Sequence, residues 1–313
     1  MGPGREFDRI RDIIAALGAA AGPIGDDTAP VPPGVGTLVV STDASVDAVH
    51  FRRDWLTPEE IGWRATTSAL SDLAAAAAVP AGVTAALTLP TGFPEAELVA
   101  VMRGVGDAAA RAGCTVLGGD ISGGGGLSLA VTVFGHAPQS VSRRGARPGD
   151  GIWVTGALGG ARAGLLAFLD GRTPPPAARA AFARPHPRLA AGRWLAAHGA
   201  TAMMDISDGL GGDAAHLAAA SGVGLHIELE RLPIHPSVHA EATRRGEHFA
   251  VCAATGGEDY ELLVTLPPDA DGAACEPGAG IPLTRVGSVV AGAGVTFSLA
   301  GVSRQITGFQ HAG

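Results

Sequence analysis

Six short segments set acidic side chains against apolar runs, beside glycine or hydroxyl residues. They are GDDTAP (Asp26, Asp27), STDAS (Asp43), LSDLAA (Asp72), GGDISG (Asp120), DISDGL (Asp205, Asp208) and GGEDYELL (Glu258, Asp259). A bare carboxylate is costly in such surroundings and needs compensating charge. No basic residue lies inside any of these segments. A hard divalent cation is the natural compensator, because Mg2+ takes oxygen ligands, usually a few carboxylates completed by substrate phosphates. The stretch GGDISGGGG, Gly118 to Gly126, adds six glycines around one aspartate. Glycine is costly to order, so the run needs a reason. Such a run lets backbone N–H groups approach phosphate oxygens, and its aspartate can hold a metal against the same phosphates. The pattern suits a nucleotide polyphosphate held by several metals. Taken singly, each acid has an ordinary alternative as a turn or N-cap residue, most plainly Asp208, which opens a predicted helix.

Composition narrows the chemistry. The chain has 313 residues and a formal charge of −8, and all 22 of its basic residues are arginine. Its length allows two domains, and its acidity argues against a nucleic-acid surface. Without lysine there is no Walker-A lysine, no kinase-type strand lysine and no Schiff base. Cys114, Cys252 and Cys275 are far apart and lack CxxC spacing, which excludes a cysteine zinc site and a disulfide framework and leaves inert thiols. The N-terminal apolar run follows acidic residues and is too short to span a bilayer, so a cytoplasmic protein with no membrane segment is expected.

The elements that must position these acids follow from pattern. Strands are predicted at GTLVVSTDASV, GVTAALTLP, CTVLGGD and LSLAVTVFGHA, with CTVLGGD ending at a glycine loop. Thr57, Pro58 and Glu60 form an N-cap, an N1 proline and a capping-box acid for a helix to about Ala77. A second helix covers PEAELVAVMRGVGDAAARAG. SRRGARPGDG breaks the pattern and marks a junction between domains 1–138 and 139–313. The second half restarts with strand GIWVTGAL and a helix from about Gly160, followed by a Pro/Ala/Arg stretch, DGRTPPPAARAAFARPHP, expected as an exposed loop. Helix RLAAGRWLAAHG, strand TAMMDIS, helix DGLGGDAAHLAAASG and strand GLHIELERL come next, then strands EDYELLVTLP, TRVGSVV and GVTFSLAG. Strands and helices mix in both halves, which predicts an α/β (α+β) fold in two layered domains.

The ordered set GDD, STD…VHF, LSDLAA, GGD, RPGD, DISDGL and GGEDYELL resembles the thiamine-monophosphate kinase family. That family belongs to the ATP-binding superfamily of aminoimidazole ribonucleotide synthetase and selenophosphate synthetase. The resemblance runs from Gly25 to about Tyr260, with a weaker echo at GFQH. It implies that Asp27, Asp43, Asp72, Asp120, Asp205 and Asp208 match magnesium-binding carboxylates, with Ser41 and Thr42 as neighbouring oxygen ligands. Gly119, Asp120, Arg143 and Ser207 match ATP contacts. His50 and Glu258 match residues that hold thiamine monophosphate, and Phe309 stands where an aromatic would stack on its ring. Asp43, Asp120 and Arg143 are the residues expected to carry catalysis. The resemblance also implies an N-terminal domain whose mixed sheet pairs with that of a second subunit, and a C-terminal domain completing a cleft for ATP and metals. The implied activity is ATP-dependent phosphorylation of thiamine monophosphate, with Mg2+ and ATP, in a homodimer.

Three places depart from the family pattern: Ala69 stands for an asparagine, DAVHF for EGVHF, and Ala312 follows His311 where an aromatic is usual. Related superfamily enzymes that depend on a terminal-region cysteine find none here. An amidine-forming synthetase and a nucleotide-binding regulator without catalysis are the alternative readings.

Overall fold

Thr57 and Glu60 form the reciprocal pair that their spacing predicts. The Glu60 N–H donates to Thr57 Oγ1 at 3.3 Å, and the Thr57 N–H donates to Glu60 Oε2 at 2.9 Å. Two orphan donors at a helix start are thereby satisfied. The helix runs Pro58–Ala75, two residues shorter than expected. The computed structural model describes residues 5–25, 28–270 and 280–309. The chain divides into two units, one up to Leu73 together with Val79–Pro138, the other Ala74–Ala78 together with residues from Gln139 onward.

In the first unit the order is α1 (Arg5–Leu17), β1 (Thr37–Val46), α2 (Pro58–Ala75), β2 (Val79–Pro90), α3 (Glu95–Arg111), β3 (Val116–Gly124) and β4 (Ser128–Ala137). The sheet order is β1-β4-β2-β3. β4 is antiparallel to both of its neighbours, and β2 and β3 are parallel. Leu129, Val131 and Val133 of β4 are buried while the residues between them are half-buried, the alternation of a sheet with one covered face. On α3, Leu98, Val101, Met102, Val105, Ala108 and Ala109 are buried at helical spacing and form its core stripe. The opposite sheet face is open: Leu38 and Val40 of β1 are 52% and 62% exposed.

CTVLGGD does not end at a glycine loop. β3 continues through Asp120 to Gly124, paired with β2 as far as Pro90. Part of the glycine run is explained by this pairing, because a Cβ at Gly119 would collide with the carbonyl oxygen of Ala85. Strand packing, as well as any phosphate, therefore demands glycine there.

The second unit contains β5 (Gly151–Thr155), α4 (Gly160–Leu169), α5 (Pro176–Ala183), α6 (Leu189–Ala197), β6 (Ala202–Asp205), α7 (Leu210–Ser221) and β7 (Gly224–Glu228). It continues with α8 (Ser237–Arg245), α9 (Phe249–Ala254), β8 (Leu262–Leu266), β9 (Leu283–Val290), β10 (Gly294–Leu299) and β11 (Val302–Arg304). Its sheet order is β11-β10-β7-β9-β5-β8-β6, antiparallel except where β7 meets β10. Every residue of β5 and β8 is buried, as befits strands covered on both faces. Mixed sheets with helices in both units make the fold α/β (α+β).

The Pro/Ala/Arg stretch is not an exposed loop. Pro176 starts α5, and Ala178 and Phe182, four residues apart, are buried on one face. Proline at N1 and the helix-favouring alanines outweigh the loop-like composition. The strand predicted from Glu258 begins only at Leu262. Helices α8 and α9 were not signalled by the sequence. Among the described residues, no helix is long and apolar enough to cross a membrane.

Candidate active site

The first-unit carboxylates are arranged by β1 and α2. Ser41, Asp43 and Ser45 pair with Val133, Val131 and Leu129 and share their covered side of the sheet. The Ser41 hydroxyl donates to Asp72 Oδ2 from α2. Burial, then the charge of Asp72, pushes the Asp43 carboxyl up to about 6, and a hydrogen bond to Ser68 acts the other way. Thr42 lies on the opposite face, where its Oγ1 meets Thr132 Oγ1 at 2.9 Å.

Asp120 belongs to neither of these contacts. Asp43 pairs with Val131, Val131 with Ala85, and Ala85 with Gly119. Asp43 and Gly119 thus share one row at opposite edges of the sheet, and Asp120 is one residue further on. Three strand spacings separate them by about 14 Å. Within one chain, Asp43 and Asp120 do not share an ion. The Asp120 Oδ2 instead accepts from Ser122 Oγ at 2.9 Å, in an exposed position.

His50 follows β1 in a tight turn. Its N–H donates to the Val46 carbonyl at 2.9 Å, and its Nδ1 accepts from the Val46 N–H at 3.1 Å. An accepting Nδ1 leaves the ring proton on Nε2, where it can be donated.

In the second unit, three chain segments meet at residues 206–209. Asp205 ends β6 and is buried. The Ile206 N–H donates to the Glu261 carbonyl at 2.8 Å, the Tyr260 N–H to the Ile206 carbonyl at 2.9 Å, and the Glu258 N–H to the Ser207 carbonyl at 2.8 Å. Glu258 and Tyr260 both hold left-handed backbone, at φ 68° and 52°. Such strain in non-glycine residues persists only where surroundings enforce it, and it concentrates at functional sites. The C-terminal segment closes the arrangement. The Phe309 N–H donates to the Asp208 carbonyl at 2.8 Å. A Cβ at Gly308 would lie 2.7 Å from Gly212 Cα, so only glycine permits this approach. Phe309 itself is 57% exposed. Asp205, Ser207, Asp208, Glu258 and Phe309, predicted from separate motifs, are thus brought together.

Arg143 is exposed, and its carbonyl accepts from Ser221 Oγ at 2.8 Å. The adjacent Ser142 carbonyl accepts from the Met203 N–H of β6 at 2.9 Å, which fixes this segment beside the strand that ends at Asp205. Asp27, Cys275, His311 and Ala312 lie outside the described residues. Burial pushes the Cys114 thiol up to about 11 and also raises that of Cys252, consistent with inert thiols.

Several acids have roles that the motif reading did not assign. Asp213 is 1% exposed, and its Oδ2 accepts from the Ser207 N–H at 3.0 Å and the Asp208 N–H at 3.1 Å. Burial, then the charges of Asp205 and Asp208, push its carboxyl up to about 8. Asp259 Oδ2 accepts from the Gly159 N–H at 2.8 Å ahead of α4, and burial raises its carboxyl to about 8. Glu261, 3% exposed, accepts from Arg188 Nε and Nη2 at 2.6 and 2.5 Å and from Thr155 Oγ1 at 2.7 Å. The Thr155 hydrogen bond ties the strained loop to β5, and the ion pair ties it to the start of α6. Its partners are distant in sequence, so no local motif could announce them.

The donors fit Mg2+. Both clusters offer only oxygen, and the Asp43–Asp72 and Asp205–Asp208–Asp213 groups place like charges close together. Among the described residues, no three His, Cys, Asp or Glu side chains form a metal cage by themselves. Mg2+ ordinarily takes one or two carboxylates and completes its shell with water and substrate phosphates.

Comparison with known proteins points to one family. Residues 25–137 match the family described as AIR synthase related protein, N-terminal domain, and residues 147–300 match its C-terminal domain. Thiamine-monophosphate kinase of Halobacterium salinarum is 38% identical over 288 residues, 90% of this chain and 93% of that protein. The structure of AaThiL complexed with AMPPCP and TMP is 34% identical, covers 98% of this chain and 97% of its own, and has a TM-score of 0.81. Thiamine-monophosphate kinase from Stenotrophomonas maltophilia K279a is also 34% identical, covering 97% and 98%, with a TM-score of 0.82.

Proposed function

The chain belongs to the AIR synthase related family, in its thiamine-monophosphate kinase branch, and from that premise we propose that it carries out direct in-line phosphoryl transfer from ATP to thiamine monophosphate. The observation that carries this reading is the meeting of the 206–209 turn, the Glu258 loop and the Phe309 segment. It sets carboxylates suited to metal-bound phosphates beside an acid and an exposed aromatic suited to a cationic ring.

A terminal oxygen of the acceptor phosphate attacks the γ-phosphorus of ATP as the bond to ADP breaks, giving thiamine diphosphate. A phosphate monoester is largely ionised near neutral pH, by analogy with phosphoserine, so placement matters more than a strong base. Mg2+, when bound, supplies the positive charge that offsets repulsion between two polyanions. In the first unit Asp27, Ser41, Thr42, Asp43, Asp72 and Asp120 are proposed ligands distributed over more than one Mg2+ ion, with Gly119 and Asp120 also against ATP. His50 donates from Nε2 to thiamine monophosphate. In the second unit Asp205 and Asp208 are ligands, Ser207 and Arg143 contact ATP, and Glu258 and Phe309 hold thiamine monophosphate. The Arg143 guanidinium can bind phosphate bidentately. A homodimer formed through the open face of the first sheet would cover Leu38 and Val40.

The test is turnover with Mg2+, ATP and thiamine monophosphate. Thiamine diphosphate and ADP should form in equal amounts, with inversion at the γ-phosphorus and no reaction in excess chelator. Retention of configuration or a trapped phosphoprotein would refute direct transfer. ATP binding without turnover would favour the regulator.

A further inference from the structure

We infer that Asp213 is the positioning residue that sets the geometry of the Ser207–Asp208 turn, an inference resting on the reading of that turn as a metal- and nucleotide-holding element. Gly209, with φ 98° and ψ 151°, occupies the N-cap of α7 and brings no side chain to cap it. The donors ahead of the helix would otherwise be orphaned. Asp213 reaches back from the first turn of α7, and one of its oxygens accepts both the Ser207 and the Asp208 N–H. Two hydrogen bonds to one buried carboxylate oxygen fix consecutive peptide units. They thereby fix the directions in which the Ser207 and Asp208 side chains leave the chain. The other segments meeting here bind the opposite side of the turn, at the carbonyls of Ser207 and Asp208. Asp213 holds its N–H side. Deleting it leaves two donors without their acceptor, and only the carbonyl side of the turn stays held.

Outer-shell partners of this kind are worth 10–100-fold in metal affinity. The probe is Mn2+ titrated into the full chain with AMPPCP present, read by electron paramagnetic resonance of the free ion. Circular dichroism checks the fold of each variant. Asp208→Asn defines the share of Mn2+ binding that belongs to the turn. Asp213→Ala should lose the same share, by about tenfold or more. Asp213→Asn keeps an acceptor oxygen and should bind close to wild type. Wild-type Mn2+ binding by Asp213→Ala overturns the inference. Equal loss in Asp213→Asn and Asp213→Ala also overturns it, because the charge would then be needed as a direct ligand. Should the alanine variant fail to fold, Asp213→Asn decides alone: close to wild-type binding supports positioning and loss defeats it. Undiminished binding by Asp208→Asn would remove instead the reading of the turn on which the inference rests.

Discussion

Asp43 is asked to hold a negative charge where burial and Asp72 both disfavour one. The folded carboxyl is pushed up to about 6, against 3.8 for a free aspartate. Between those values the folded state binds more protons than the unfolded chain, so the metal-free protein loses stability as pH rises from about 4 to about 6. Below the unfolded value both states are protonated and the effect vanishes. Asp43→Asn removes the penalty. Metal-free Asp43→Asn should therefore melt above wild type at about pH 7.5, and the difference should disappear near pH 3.5. Thermal scans in chelator across this range check it. The same variant should gain less melting temperature from Mg-ATP than wild type does. Its turnover should fall about a hundredfold or more, the scale of losing one preorganised electrostatic contact.

The elements position these residues through caps and close approaches. The Thr57–Glu60 pair fixes the start of α2, the helix that carries Ser68 and Asp72 to β1. Thr57→Ala should cost about 1 kcal/mol, a shift of about 2–4 °C for a chain of this size, measurable by calorimetry. Gly119 is a different case, since its missing side chain is what lets β3 pair with β2. Gly119→Ala should destabilise by about 1–3 kcal/mol in urea titration even without nucleotide, because the clash is with backbone. An unchanged midpoint would return the glycine run to a purely ligand-binding role.

For the whole molecule, the open sheet face is the feature a monomer leaves unexplained. Leu38 and Val40 are exposed on an edge strand, and such strands in soluble monomers usually carry charge. If the proposed homodimer forms through this face, Val40→Arg should convert it to a monomer in sedimentation velocity while leaving the circular dichroism spectrum unchanged. A dimer that persists in Val40→Arg would move the interface elsewhere.

What the sequence determined by itself was local. The capping box, the alternating strands and the short acidic motifs all act within a few residues, so pattern alone revealed them. The order of those short motifs along the chain pointed to the family. Tertiary structure decided the rest. GGDISGGGG is continuous with β3 because β2 lies alongside it, and no local signal distinguishes a paired glycine run from a loop. DGRTPPPAARAAFARPHP holds a helix because Ala178 and Phe182 find a core to enter. Asp213 and Glu261 read as unremarkable acids until folding supplies the Ser207 and Asp208 amides and Arg188, and Asp259, read with the metal-like acids, meets the Gly159 amide instead. The physical reason is the same in each case. Propensity and periodicity are properties of neighbours in the chain, whereas burial, pairing and shifted protonation depend on groups that only folding brings into contact.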